Sequence, residues 1–286
     1  MIELRDIYYV RLGTRDLDGA QKFCTEIVGL QAVERTEDRL YLKCDAHHHS
    51  VCYFDGEPGD HTVGFELKDW TTLGAALERL QAAGVPCGAG TSEEAADRHV
   101  EAFIWFNDPT GNRIEIVARP HDAGKRFFPS RDAGLTGFGH VGLCTTDPAR
   151  DQNFWMSHFN TMISDWIGPC PLLRVNPRHH QMALFASQRK GIQHINFQVA
   201  EIDDIMKSWY FLKSQDVRIV FGPGRHPTSG GNFVYFEGHD GVIFEYSNSD
   251  RRIVGDLEDY RPRQFPLHPT SFCMWGSKPD IAEFRD

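Results

Sequence analysis

Three residues of this chain have the types and setting to share a metal ion: His140, His194 and Glu245. Each sits in a short apolar, strand-like run, namely Gly139-His140-Val141-Gly142-Leu143, Gln193-His194-Ile195-Asn196-Phe197 and Val242-Ile243-Phe244-Glu245-Tyr246. A carboxylate and two imidazoles on half-buried strands are costly unless something pairs with them. Two neutral imidazole nitrogens and one carboxylate on one face of a metal leave the opposite positions open. That facial arrangement suits non-haem Fe(II) sites that take both oxygen and an organic substrate. The plainer reading is that buried His and Glu satisfy each other. An internal repeat weighs against it.

The repeat shows in several matched segments. Ile7-Tyr8-Tyr9-Val10-Arg11-Leu12 matches Phe138-Gly139-His140-Val141-Gly142-Leu143. Each is followed by an Asp (Asp16, Asp147) and a helix-like stretch containing Phe23 or Phe154. Thr62-Val63-Gly64-Phe65-Glu66-Leu67 matches His194-Ile195-Asn196-Phe197-Gln198-Val199. Both lead into amphipathic stretches, Leu73 to Ala83 and Ile205 to Ser214, with apolar residues at helical spacing. Trp105 to Glu115 matches Tyr235 to Glu245, each with a Gly turn before its last strand. The chain therefore reads as an α+β fold of four modules at near-constant period, each a strand, a helix and two or three further strands. Two modules fill residues 1–120 and two fill 135–250, with a linker at 121–134. A tail at 251–286, carrying Pro262, Pro266, Pro269 and Pro279, reads as an extended wrap.

The repeat also supplies a control. Where the second half has His140, His194 and Glu245, the first has Tyr9, Thr62 and Glu115. The backbone plan is kept in both, while the metal donors persist in one. The first half is expected to be structural and to lack metal ligands.

Composition bounds the function. Hydrophobic residues make up 41% and charged residues 24% of the 286, ordinary for a globular protein. A net charge of −10 argues against nucleic acid or an anionic membrane as partner. No apolar run reaches the roughly 18 residues of a membrane span, and the N-terminus lacks a signal-peptide core, so a cytoplasmic location is expected. Seven scattered cysteines without a C-x-x-C pair argue for reduced thiols rather than a disulfide framework or structural zinc. The tract His47-His48-His49 lies between two strand-like segments and reads as a solvated loop. Gly222-Pro223-Gly224 lacks the rest of a phosphate loop and reads as a turn.

At this point the residues resemble a known family, the type I extradiol ring-cleavage dioxygenases of the vicinal oxygen chelate superfamily. The strongest stretch runs from Gly224-Arg225-His226 through Tyr235-Phe236 to Glu245, with His226 nine residues before Tyr235. Asn176-Pro177-Arg178-His179-His180 resembles the family's paired-His segment. One departure is Gly238-His239-Asp240-Gly241, which replaces the Asp-Pro-x-Gly turn kept as Asp108-Pro109-Thr110-Gly111 in the first half.

The resemblance implies four βαβββ modules paired into two domains, each a curved mixed sheet around a funnel, and a homo-oligomer. It assigns His140, His194 and Glu245 to Fe(II), with Mn(II) as second choice, and places His180, His226 and Tyr235 around the substrate. The implied reaction opens a catechol-type ring beside the diol and inserts both atoms of O2. An imidazole near pH 7 can shuttle a proton, so His180 is the expected acid/base, with His179 the competing choice. Tyr235 and His226 would orient the diol. Two other readings stay open: the same scaffold running isomerase or thiol-addition chemistry on Zn(II) or Mn(II), and a non-catalytic protein that binds aromatic molecules.

Overall fold

The computed structural model describes residues 1–254 and 260–284. Two mixed sheets dominate them. In the first, eight strands run in spatial order Gln31–Arg35, Arg39–Lys43, Val51–Asp55, Leu4–Thr14, His61–Leu67, Arg113–Pro120, Val100–Asn107 and Cys87–Ala89. In the second, nine run in order Ile219–Arg225, Asn232–Glu237, Ile243–Asn248, Ile192–Val199, Leu135–Thr145, Met182–Ala186, Cys170–Arg174, Met162–Ile167 and Arg263–Phe265. Apart from that last strand, the two orders are the same plan read from opposite ends.

Each half is built around one long strand. Leu4–Thr14 pairs in parallel with Val51–Asp55 and antiparallel with His61–Leu67. Leu135–Thr145 does the same with Met182–Ala186 and Ile192–Val199. The helices that follow begin where the sequence placed an Asp. The Asp16 carboxylate accepts from the Gly19 N–H, and that of Asp147 from the Arg150 N–H. Both satisfy donors that a helix start leaves unpaired. The four modules and their pairing are as the sequence indicated. Helices span Leu73–Ala82 and Ile202–Ser214, the second starting earlier than its apolar spacing suggested.

An aromatic seam joins the halves. Trp155, fully buried on helix Pro148–His158, packs against Phe65 of the first half at 5.6 Å between ring centroids. Phe159 stacks on Phe106, and Phe23 on Phe244. Burying rings of this size contributes about 1.5–3 kcal/mol each.

Two segments differ from expectation. Gly222-Pro223-Gly224 is not a turn but a bulged part of strand Ile219–Arg225, whose register slips between Phe221 and Gly224. The tail is more than a wrap. Its Arg263–Phe265 adds a strand parallel to Met162–Ile167, and Phe272, Ile281 and Phe284 are buried. All seven cysteines are free. Among the described residues no helix is long and apolar enough to cross a membrane.

Candidate active site

Strand register brings the donors together. Asn196 stands opposite both His140 and Glu245 on its two neighbouring strands, and Glu245 stands opposite Tyr235. Directly opposed residues share a face of the sheet, as does His194, two positions before Asn196. Four strands thus present His140, His194, Glu245 and Tyr235 to one side. Gly142 makes room: a Cβ there would lie 2.5 Å from His194 Nδ1.

The three donor atoms converge. His140 Nε2 lies 3.1 Å from His194 Nε2 and 3.1 Å from Glu245 Oε2, and His194 Nε2 lies 3.5 Å from Glu245 Oε2. All three side chains are buried. Glu245 Oε2 nonetheless accepts no hydrogen bond despite its two imidazole neighbours. The three donor atoms are close enough together to share one ion. Donors about 2.1 Å from a metal at right-angled positions would lie about 3 Å apart. The set fits a divalent metal ion. Burial alone would raise the Glu245 carboxyl, but the imidazoles of His140, His226 and His194 hold it well below the usual carboxylate range. Burial pushes His194 down to about 3, so it stays a neutral ligand. The Gln193 side-chain oxygen beside its Nδ1 holds the ring proton there and leaves Nε2 bare.

The remaining candidates line the same cleft as the triad: His180, His226 and Tyr235. Its apolar wall comes from Ile167, Leu172, Phe185, Phe272 and Phe284. A roomier cleft between the halves, bordered by Phe54, His61, Arg113 and Lys190, holds none of these groups.

His180 is ordered from behind. Its Nδ1 lies 3.0 Å from His179 Nδ1, and His179 Nε2 lies 3.0 Å from Asp165 Oδ2. The Arg263 guanidinium closes the chain on Asp165 at 2.6 Å. With the His179 Nε2–H donating to the carboxylate, His179 Nδ1 accepts from His180, and His180 Nε2 is left as a base. Burial, then the nearby imidazoles of His140 and His179, holds His180 well below its ordinary pKa. His179 itself is fully buried behind the cleft.

His226 stacks on Phe233 at 3.9 Å and donates through Nδ1 to the Phe272 carbonyl, 2.7 Å away. Its Nε2 lies 3.3 Å from the Tyr235 hydroxyl and 3.3 Å from Glu245 Oε1. Burial and the Glu245 charge raise the Tyr235 hydroxyl well above its ordinary pKa, so it remains a donor. The altered turn Gly238–Gly241 does not disturb this strand. The Gly238 N–H donates to the Val242 carbonyl much as the Asp108 N–H does to that of Asn112.

Sequence reasoning missed Asp165, Arg263 and the tail aromatics, because their contacts are distant in sequence. It also misread part of the histidine tract. His49 is fully buried, not in a solvated loop. It occupies the repeat position of His180, as His48 does that of His179, and the offset linking Tyr9 to His140 would have shown this.

The family match covers both halves, at residues 7–116 and 137–246. The chain belongs to the Glyoxalase/Bleomycin resistance protein/Dioxygenase superfamily. Within it, the resemblance to extradiol ring-cleavage dioxygenases is borne out. A 1,2-dihydroxynaphthalene dioxygenase of Sphingobium xenophagum is 25% identical over 278 residues, covering 91% of this chain and 93% of the relative. An iron-dependent extradiol dioxygenase of Rhodococcus jostii (strain RHA1) is 25% identical, covering 96% and 97%. In fold, BphC, a halotolerant catechol dioxygenase, superposes with a TM-score of 0.87 at 24% identity, over 99% of this chain and 97% of the other. An Mn(II)-bound glyoxalase from Novosphingobium aromaticivorans also scores 0.87, at 20% identity over 100% and 95%.

Proposed function

We propose that this protein is an Fe(II)-dependent extradiol dioxygenase that opens a catechol-type ring with O2. One observation carries the reading: the three convergent donors share a single aromatic-walled cleft with His180, His226 and Tyr235. His140, His194 and Glu245 would hold the iron. Bound there, it would lower the pKa of the diol, accept it as a chelating ligand and supply the redox chemistry with oxygen.

The protein's own groups do the rest. A catechol hydroxyl has a pKa near that of Tyr, about 10, and must lose a proton to chelate. His180 Nε2, neutral and backed by His179 and Asp165, takes that proton and can return it later. The Tyr235 O–H donates to a diol oxygen, and His226, clamped by Phe272, holds Tyr235 in place. Phe185, Phe272 and Phe284 flank the ring and exclude water. The diol-handling trio favours this over isomerisation or thiol addition, which call for no such set. The relatives named above support the ring-cleavage class, and the iron-dependent one supports the choice of Fe(II) over Mn(II).

Oxygen uptake recorded with visible spectra tests the proposal. Anaerobically purified protein loaded with Fe(II) would be given catechol, 3-methylcatechol and 2,3-dihydroxybiphenyl in turn. A yellow product with one O2 consumed per diol is expected. Iron binding without oxygen uptake on any diol would overturn the assigned reaction for this substrate class, and failure to bind iron would overturn the metal assignment.

A further inference from the structure

Asp165 and His179, the pair behind His180, have repeat counterparts in the first half: Glu34 and His48, at the offset that links Tyr9 to His140. The strands agree, since the bulge between Ala32 and Glu34 recurs between Ile163 and Asp165. In the second half the pair is fully buried and the Arg263 guanidinium neutralises it. The counterpart pair has no such plug among the described residues. It has His99 instead.

His99 is placed at a cost. It adopts φ 52°, a left-handed backbone that L side chains take up reluctantly. At the corresponding bend of the second half the left-handed position falls one residue later, on Gly230 (φ 75°), which adopts it freely. The backbone of His99 is held on both sides, donating to the Ala96 carbonyl and accepting from the His121 N–H. Its Nε2 lies 3.3 Å from Glu34 Oε2, and its ring stacks on His48 at 3.6 Å between centroids, 17° from parallel, so that binding one ion through both would turn one ring out of the stack. One donor atom from each of Glu34, His48 and His99 lies within 4.8 Å of the other two. A tetrahedral ion about 2.1 Å from its ligands separates them by about 3.4 Å, close to the His99–Glu34 spacing.

We propose that Glu34, His48 and His99 form a second metal site, taking a borderline divalent ion of the Zn(II) class on the outer side of the first half. Imidazole and carboxylate donors suit such ions. The Glu34 and His99 side chains are 43% and 23% exposed, so an ion can enter from solvent and keep water in its open positions. Asp97, the other nearby carboxylate, is already engaged by Arg11, Arg39 and Tyr41 and stays outside the set. The ion would tie strand Gln31–Arg35, the histidine segment and the bend before Val100–Asn107 together. A guanidinium meets Glu115 in the first half (Arg98, 2.7 Å) and Asp165 in the second (Arg263, 2.6 Å), so the two ions would sit at the exchanged places, on Glu34 and Glu245. This site is independent of the iron assignment.

Chelator-stripped full-length protein titrated with Zn(II) by equilibrium dialysis, and with Co(II) by visible absorption, tests it. Wild type should bind two equivalents per chain. His194→Ala should bind one, His99→Gly one, and the double variant none. His99→Gly suits the left-handed backbone, so without metal it should melt no lower than wild type, while Zn(II) should raise its Tm less. A single equivalent in wild type, lost with His194→Ala, would overturn the proposal. So would retention of both equivalents in His99→Gly and in Glu34→Gln.

Discussion

Glu115 and Glu245 occupy the same register position of their sheets, and both are fully buried. Their counter-charges differ. Glu245 faces two imidazole nitrogens, His140 Nε2 at 3.1 Å and His194 Nε2 at 3.5 Å, a donor set that fits a divalent ion. Glu115 is completed from within: Arg98 donates to it through Nη2 at 2.7 Å and through Nε at 2.8 Å, and the Tyr9 hydroxyl donates at 2.5 Å. One scaffold thus meets the same carboxylate with a built-in cation in one half and, under the proposed function, with a recruited one in the other. Only the recruited one leaves coordination positions for a substrate. A guanidinium has no acceptor and no open site, so the first half has closed itself to this chemistry while keeping the fold.

The largest expected effects break that contrast directly. His194→Ala or Glu245→Ala should abolish iron retention through dialysis and reduce turnover to background. Glu115→Gln should leave both intact. Its cost should instead appear in stability, by about 1–2 kcal/mol in urea unfolding, because Arg98 loses its bidentate carboxylate and keeps only that of Asp97, 3.5 Å away. Iron loss in Glu115→Gln would mean that the halves do not divide the work in this way.

His180 and His49 form the next pair. His180→Gln should keep iron and diol binding while lowering kcat by about 10²–10⁴, the usual contribution of a positioned acid/base. His49→Gln, at the same repeat position beside Tyr9 rather than beside a metal donor, should leave kcat unchanged. Full turnover in His180→Gln would remove it as the acid/base. A smaller effect follows one step back. Asp165→Asn should retain iron and KM but lower kcat about tenfold, since the carboxylate acts only by holding His179 and His180 in one tautomer.

How legible these features were follows from their range. The triad could be read because each donor breaks an apolar strand run, and because Tyr9 and Thr62 at the matching positions show what a structural residue there looks like. The four-module plan was legible for the same reason, as a repeat of strand and helix periods. Asp165 was not, since nothing local to Trp166 and Ile167 signals that a histidine will reach it. Phe272 and Phe284 were likewise invisible, because a proline-rich tail carries no period that says where it lands. The histidine tract failed differently. Composition says nothing of depth, so three adjacent histidines looked alike although His47 is exposed and His49 is buried.

The smallest effect probes the contact between the halves. The backbone N–H of Ile192, in the second half, donates to His61 Nδ1, in the first, at 3.0 Å. Burial, then the Arg189 charge, pushes His61 down to about 4, so the folded protein resists protonating it. The unfolded chain takes up that proton near pH 6.5 and the folded one does not. The contribution to stability is therefore complete above about 6.5 and shrinks as pH falls toward 4, by at most about 1.4 kcal/mol per pH unit. Other buried imidazoles, His194 among them, share this sign, so the wild-type slope alone cannot isolate His61. His61→Asn can: its side-chain oxygen still accepts from Ile192 but does not titrate. Urea unfolding of metal-free protein at pH 7, 6 and 5 should show a shallower loss in the variant. Equal slopes would mean that protonation of His61 contributes nothing to the acid loss of stability, which the other buried imidazoles then carry.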